Sequence, residues 1–354
     1  MTTERIAEVA VLIVGFRNPA DLISCLAALC ATAVEPNFDV FICENGGARS
    51  YQRLLRELLD AQGPCQESDE RTISATTNFT GFVDVRRLRL RTRPSNVWVG
   101  CATENLGYAG GINAWLRQLQ SFAGWKGVWV LNPDTEPEAD ALAALVERAE
   151  SGRKGMVGST IFDIERRNEV RCRGGLHWQW FAARPIAIGV GETLNAPDDV
   201  SAIEAAMDSP SGASMYVTRP CIEKIGLMDE SYFLFFEDLD WGVRAKSCGL
   251  GYASASIVGH KRGTTTGSAK SLAKMSRLSI YLEHRNGIYF VRRHFPWTVP
   301  VRVAISFLYA VRFLIHRAPK NFMVALEGVL AGLRGEVGRP TKYHELAGSS
   351  EFRG

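Results

Sequence analysis

Three carboxylates fall within four positions at Glu237-Asp238-Leu239-Asp240, and their neighbours Phe235, Phe236, Leu239 and Trp241 are apolar or aromatic. Ionised carboxylates are costly to bury unless they are paired, hydrogen-bonded or given a cation. When several share a site they push one another's pKa values apart, so that one holds a proton or serves as a base. The plainer alternative is a cap: Asp238 or Asp240 starts a helix through Val243-Arg244-Ala245-Lys246, and Glu237 is solvated. A second acidic pair, Asp134 and Glu136, follows the apolar run Val128-Trp129-Val130-Leu131. Two apart in extended backbone, they reach the same side of a crevice. That suits a divalent cation bridging two phosphates, because Mg²⁺ and Mn²⁺ prefer oxygen ligands and take only one or two protein carboxylates beside substrate oxygens. A turn or cap role for Asp134 is the competing reading.

The elements that must position these groups alternate along the chain. Glu8 to Val14 and Phe38 to Cys43 are short apolar runs of the kind expected for strands covered on both faces. Each is followed by a segment with helical spacing, Ala20 to Cys30 with Leu22, Cys25, Leu26 and Leu29 on one side, and Tyr51 to Leu59. Asn96 to Ala102 adds a third strand and Val128 to Leu131 a fourth. The order predicts an α/β fold with a mostly parallel, doubly wound sheet. Ligands of such sheets collect at the carboxyl ends of the strands, so Phe16-Arg17 and Glu44-Asn45 are expected to face one crevice. Between the third strand and a helix from Ile112 to Leu119 stands Asn105-Leu106-Gly107-Tyr108-Ala109-Gly110-Gly111. This is either a turn without a ligand or a loop whose glycines let backbone N–H groups approach a phosphate. Its spacing does not match a dinucleotide fingerprint.

Composition bounds the class. The 354 residues are 46% hydrophobic and 22% charged, with a net charge of only +3, so no general nucleic-acid binder is implied. Eight cysteines form no Cys-x-x-Cys pair and read as reduced core residues of a cytosolic protein. The first ten residues carry acids and lack a signal core. Residues 60 to 95 read as a polar insertion in which Arg87, Arg89, Arg91 and Arg93 alternate, either on a solvated edge strand or against an anionic acceptor or membrane.

Taken together these segments resemble glycosyltransferase family 2, the inverting nucleotide-sugar transferases of the GT-A fold, and its bacterial rhamnosyltransferase-like branch. Cys43-Glu44-Asn45-Gly46 stands where the family has Asp-Asn. Glu104 to Asn113 is close to its Asn-Leu-Gly-Phe-Ala-Gly-Gly-x-Asn run, and Leu131-Asn132-Pro133-Asp134-Thr135 follows. The match continues through Ser211 to Met215, Ile225 to Glu230, Phe235 to Trp241 and Gly259-His260-Lys261-Arg262-Gly263, covering residues 8 to 268.

The resemblance implies transfer of a sugar from a UDP- or dTDP-sugar, with rhamnose a candidate, to a glycan or lipid-linked saccharide in bacterial polysaccharide, lipopolysaccharide or O-antigen synthesis. Asp238 is then the general base, with Glu237 placing the acceptor. Asp134, Glu136 and His260 hold a divalent metal, Mn²⁺ or Mg²⁺. Val14, Arg17, Glu44, Asn45, Asn105, Gly107, Gly110, Asn113, Asn132 and Asp134 line the nucleotide pocket. The expected division is a GT-A domain at 1–285, with a donor half to 137 and an acceptor half after it, and a helical extension at 286–354. A sugar nucleotidyltransferase and a non-enzymatic carbohydrate or assembly module are the alternatives. The expected location is the cytoplasm, at the inner face of the membrane.

Gly263 to Ser268 reads as a loop that closes over the donor or as plain surface. Farther on, Val303 to Val311 is an apolar run too short to span a bilayer. Arg302, Arg312, His316 and Arg317 share one side of its helical wheel, so the helix either lies on an anionic membrane surface or packs on the catalytic domain.

Overall fold

A computed structural model describes residues 4–68, 79–261 and 275–343. The centre is a run of four parallel strands in the order Asn96–Ala102, Phe38–Glu44, Val9–Gly15, Gly127–Leu131. The first three strands in the chain are laid down in one direction across the sheet, and Gly127–Leu131 is added on the other side of Val9–Gly15. The order therefore reverses between Val9–Gly15 and Gly127–Leu131, and a crevice opens where crossovers to the two sides diverge. Val9–Gly15, apolar throughout, and Phe38–Glu44, apolar apart from Asp39 and Glu44, are buried at every position. Leu22, Cys25, Leu26 and Leu29 of the helix Pro19–Cys30 are the buried stripe on one face of the sheet.

Antiparallel strands complete an eleven-stranded mixed sheet. Ser214–Thr218 joins Gly127–Leu131 to Met156–Asp163, and Leu250–His260 follows in parallel with the latter. The short strand Thr135–Pro137 pairs with the end of Leu250–His260, setting His260 opposite Thr135. On the other flank Phe82–Leu90 lies against Asn96–Ala102, and the three-residue strand Cys65–Glu67 is outermost. The arginine alternation is thus explained by neither of its expected readings alone. Leu88 and Leu90 do turn inward, but Arg91 and Arg93 lie past the strand and bind carbonyls: Arg93 reaches Thr32, Ala33 and Val34 beyond the helix Pro19–Cys30. Arg87 lies over the Trp98 ring and pairs with Glu4.

Three helices follow, Arg277–His294, Val299–Ile315 and Pro319–Arg334. The first runs without a break through the expected domain boundary at 285. Its Arg285 and Asn286 are buried and bind the loop before the acidic motif, so this helix is a wall of the site. All eight cysteines are free.

Candidate active site

The loop that delivers Glu237 and Asp238 is held in an uncommon backbone shape. Phe233, Phe235 and Phe236 all have positive φ, at 65°, 69° and 74°. Bulky L-residues rarely adopt this region, and each such residue costs roughly 1–3 kcal/mol. The stabilising partner is Asn286, whose Nδ2 lies 2.9, 2.8 and 3.0 Å from the carbonyl oxygens of Tyr232, Leu234 and Phe235. Arg285 adds a bond to Tyr232 O at 3.2 Å. The kinked loop ends in the helix Glu237–Ala245, whose first turn carries the three acids.

Each acid meets different surroundings. Asp240 is fully buried and binds Arg244 Nε at 2.8 Å and His294 Nε2 at 2.7 Å. Burial alone would raise its pKa, but the His294 and Arg244 contacts prevail and hold it below the ordinary carboxylate range. It ties two helices together. Asp238 faces the cavity, where its Oδ1 accepts from Leu239 N at 2.8 Å and its Oδ2 from Gly212 N at 3.2 Å. Burial lifts its pKa, and those two backbone donors restrain the rise. A Cβ at position 212 would collide with Asp238 Oδ2, which explains the glycine in Ser211-Gly212-Ala213. Glu237 is buried with one carboxylate oxygen, Oε2, lacking a partner among the described residues. Burial, and after it the Asp238 charge, push its pKa well above the ordinary range. Of two carboxylates sharing a dry site, the one with more N–H donors ionises more readily and the other more readily keeps the proton. The arrangement favours the negative charge on Asp238 and the proton on Glu237.

All this opens on a cavity of about 730 Å³ at the strand ends of the switch point. Val14, Asn45, Asn105, Gly107, Asn132 and Asp134 line it as expected, and His260 joins them. Asp134 Oδ1 and His260 Nε2 are 3.1 Å apart. Other expected residues are elsewhere. Glu136 is off the cavity wall and pairs with Lys261 at 3.2 Å, while Thr135 and Pro137 on either side of it are buried. Arg17 is exposed and off the wall. Glu44 is buried beneath it, with Oε1 accepting from Gly46 N at 2.7 Å and Arg17 N at 3.2 Å. It shapes the turn after its strand rather than meeting the cavity.

The glycines of the run at 107, 110 and 111 are needed for close packing. The helix begins at Gly107, so Gly110 lies inside it against Leu106, and Gly111 packs on Val14. Gly107 itself has φ +72°, and a side chain there would strike Phe233 O. Asn113 is buried and binds Met228 O at 2.9 Å and Glu230 Oε1 at 2.8 Å. Sequence reading missed Tyr108. Its hydroxyl lies 3.0 Å from Asn132 Oδ1 and 3.1 Å from Gly212 O, and burial followed by the charges of Glu237, Asp238 and Asp134 raises its pKa strongly. The aromatic at that position of the Asn-Leu-Gly run was the available signal. The proposed closing loop at Gly263 to Ser268 lies outside the described residues.

No protein-family profile matches the chain. An N-acetylglucosaminyl-diphospho-decaprenol L-rhamnosyltransferase of Mycobacterium tuberculosis is 26% identical over 282 residues, 73% of this chain and 90% of that protein. A hexosyltransferase of low-salt glycan biosynthesis in Haloferax volcanii is 22% identical over 246 residues, 67% of this chain and 76% of that one. Among solved structures, a mannosyltransferase of Pyrobaculum calidifontis in complex with GDP-mannose and Mn²⁺ aligns over 94% of this chain and 89% of its own, at 10% identity and a TM-score of 0.49. The sequence relatives agree with the resemblance to glycosyltransferase family 2 in its rhamnosyltransferase-like branch, and the chain is an enzyme of the glycosyltransferase class.

Proposed function

We propose that the enzyme moves a hexosyl group, with L-rhamnose the first candidate, from a nucleoside-diphosphate sugar to a hydroxyl of a lipid-linked saccharide, in one inverting displacement. The observation that carries this reading is the placement of one ionisable base, Asp238, and the Asp134–His260 pair on the wall of the same cavity. Sugar transfer needs an acceptor hydroxyl made nucleophilic, a leaving diphosphate stabilised and water kept out.

Asp238 accepts the acceptor proton. Its depth among Phe235, Phe236 and Leu239 raises its basicity, while Gly212 N and Leu239 N aim its oxygens. Glu237, held neutral, donates a hydrogen bond to an acceptor oxygen and leaves Asp238 as the negative charge of the pair. Tyr108 holds Asn132 against the chain at Gly212, linking the donor side to the base.

Asp134 and His260 fit a divalent cation as a two-residue donor set. Among the described residues no group of three or more His, Cys, Asp or Glu side chains forms a fuller cage. Two protein ligands are what Mg²⁺ or Mn²⁺ takes when substrate oxygens supply the remainder. Such an ion supplies Lewis-acid stabilisation of the leaving diphosphate. Glu136 takes no part, since Lys261 engages it.

A surface role belongs to the same reading. The segment Pro296–Ile315 is 20 residues with an 18-residue stretch of mean hydropathy 1.6, long and apolar enough by length and composition to cross a bilayer, and 28% of that stretch is buried. Packing argues that it lies flat instead. Arg302, Ser306, Ala310 and Phe313 form a buried stripe, while Phe307, Leu308 and Ile315 are exposed. Arg302 is thus lost from the expected basic face, and Arg312, His316 and Arg317 remain exposed. We place this face against the membrane that carries the acceptor.

The test is titration of UDP and dTDP with and without Mn²⁺, followed by calorimetry. Binding to the native enzyme is expected to require the metal, and Asp134→Ala is expected to abolish that requirement together with tight binding. Identical metal dependence in the variant would overturn the assignment.

A further inference from the structure

We infer that Arg184, Arg302 and His284 form a second anion subsite in the cavity, which takes the phosphate or diphosphate ester carrying the acceptor sugar. Calling the ligand an acceptor rests on the glycosyl-transfer reading; calling it an anion rests on the following geometry.

Arg302 is only 5% exposed. Its Nη1 donates to Ala183 O at 3.2 Å and its Nη2 to Glu283 O at 3.0 Å, and its guanidinium lies over the Phe236 ring at 5.5 Å. The helix Arg277–His294 makes room for it with Gly287, where any Cβ would strike the guanidinium. Arg302 Nε is buried and has no acceptor among the described residues. Arg184 repeats the pattern: Nη1 donates to Tyr309 Oη at 2.6 Å, and the buried Nε has no partner among the described residues. Neither arginine has a carboxylate within ion-pair distance among the described residues, and the acid of this wall, Glu283, is itself exposed. His284, also 5% exposed, has no partner for either ring nitrogen among the described residues, and burial, reinforced by Arg302, lowers its pKa to about 3. It is neutral at ordinary pH and offers one N–H. All three residues line the cavity that holds Asp238.

Glu283 lends Arg302 a negative charge without pairing with it directly, and a buried guanidinium without a bonded counter-ion is costly. A phosphate ester supplies one, with oxygens for the two Nε–H groups and the imidazole N–H. The site is distinct from the Asp134–His260 pair, being built from the C-terminal helices and the strand Arg184–Ala187 rather than from the central strand ends. Phe236, stacked on Arg302, immediately precedes the catalytic acids, so an anion here holds a sugar next to Asp238. The helix bearing Arg302 also exposes Phe307 and Leu308, apolar surface for a lipid tail.

Calorimetric titration of the full chain in a metal chelator tests this without donor or turnover. The probes are decyl diphosphate and inorganic pyrophosphate, and the variants are Arg184→Gln and Arg302→Lys. Decyl diphosphate is expected to bind the native chain more tightly than pyrophosphate, and each variant is expected to weaken it at least tenfold. If Arg302→Lys does not fold, the half-buried Arg184 decides alone. No binding, or binding that Arg184→Gln leaves intact, overturns the subsite. Equal affinity for the two probes overturns the ester assignment. None of these results depends on Asp134 or on transfer, so the glycosyl-transfer reading stands or falls separately.

Discussion

Glu237 and Asp238 are neighbours in sequence but differ in what their oxygens meet, and the difference predicts opposite effects of neutral replacements on stability. Glu237 Oε2 has no partner among the described residues, and its pKa is raised well above the ordinary value. A raised folded-state pKa contributes stability that is present at low pH and lost as pH climbs from the ordinary glutamate range towards the folded value. Glu237→Gln removes that loss. The variant is expected to match the native enzyme near pH 4 and to exceed it in Tm at pH 7.5, by about 2 °C for each kcal/mol relieved in a chain of this size. A gap that is the same at both pH values contradicts the protonated role. Asp238→Asn is expected to bring no such gain, because both oxygens of Asp238 accept from backbone N–H groups and an amide must turn its own N–H₂ towards one of them. Leaving that donor unsatisfied costs about 1–3 kcal/mol. The acidic cluster was legible in the sequence because charge in an apolar run is a local anomaly. Which acid does what was not, since that depends on Gly212 and His294, 26 and 54 positions away from their partners.

At the scale of elements, the loop before the helix Glu237–Ala245 is held in place from the helix Arg277–His294. Asn286→Ala deletes three bonds to carbonyls and frees a backbone that has little intrinsic preference for positive φ. The expected loss is about 3 kcal/mol in denaturant unfolding, with kcat falling far more than donor affinity; a kcat loss matched by an equal donor-affinity loss contradicts a role specific to the acidic loop. Sequence periodicity shows helices and strands but not this tie, which spans more than fifty residues. The glycines at 107, 110 and 111 are ambiguous in sequence for a related reason: the close packing they permit shows only once the opposing atoms, here Phe233 O and Val14, are in place. The helix Val299–Ile315 separates two faces that a wheel diagram merges. With Arg302 turned inward, Phe307→Asp combined with Leu308→Asp is expected to reduce sedimentation with anionic vesicles severalfold while donor binding persists. Unchanged sedimentation would remove the membrane contact from the account.

Across the whole molecule, the cavity joins two constructions. Its floor comes from strand ends at the point where the order of the parallel strands reverses, and its outer wall from C-terminal helices that the sequence presents as an appendage. The parallel core was readable because fully buried strands announce themselves as apolar runs. The antiparallel flanks, made of short or mixed-polarity strands such as Arg166–Arg173, carry no such signal. The proposed reaction belongs to neither construction alone, since Asp238, the proposed base, sits on a short helix between them. The most direct measurement is therefore transfer from a nucleoside-diphosphate sugar to a lipid-linked saccharide by native enzyme, Glu237→Gln, Asp238→Asn and Asp240→Asn, with donor binding followed in parallel. Asp238→Asn is expected to cut kcat by roughly 10²- to 10⁴-fold, the usual worth of a positioned base, while donor affinity stays within twofold. Near-native kcat in that variant contradicts the assignment of Asp238 as the general base.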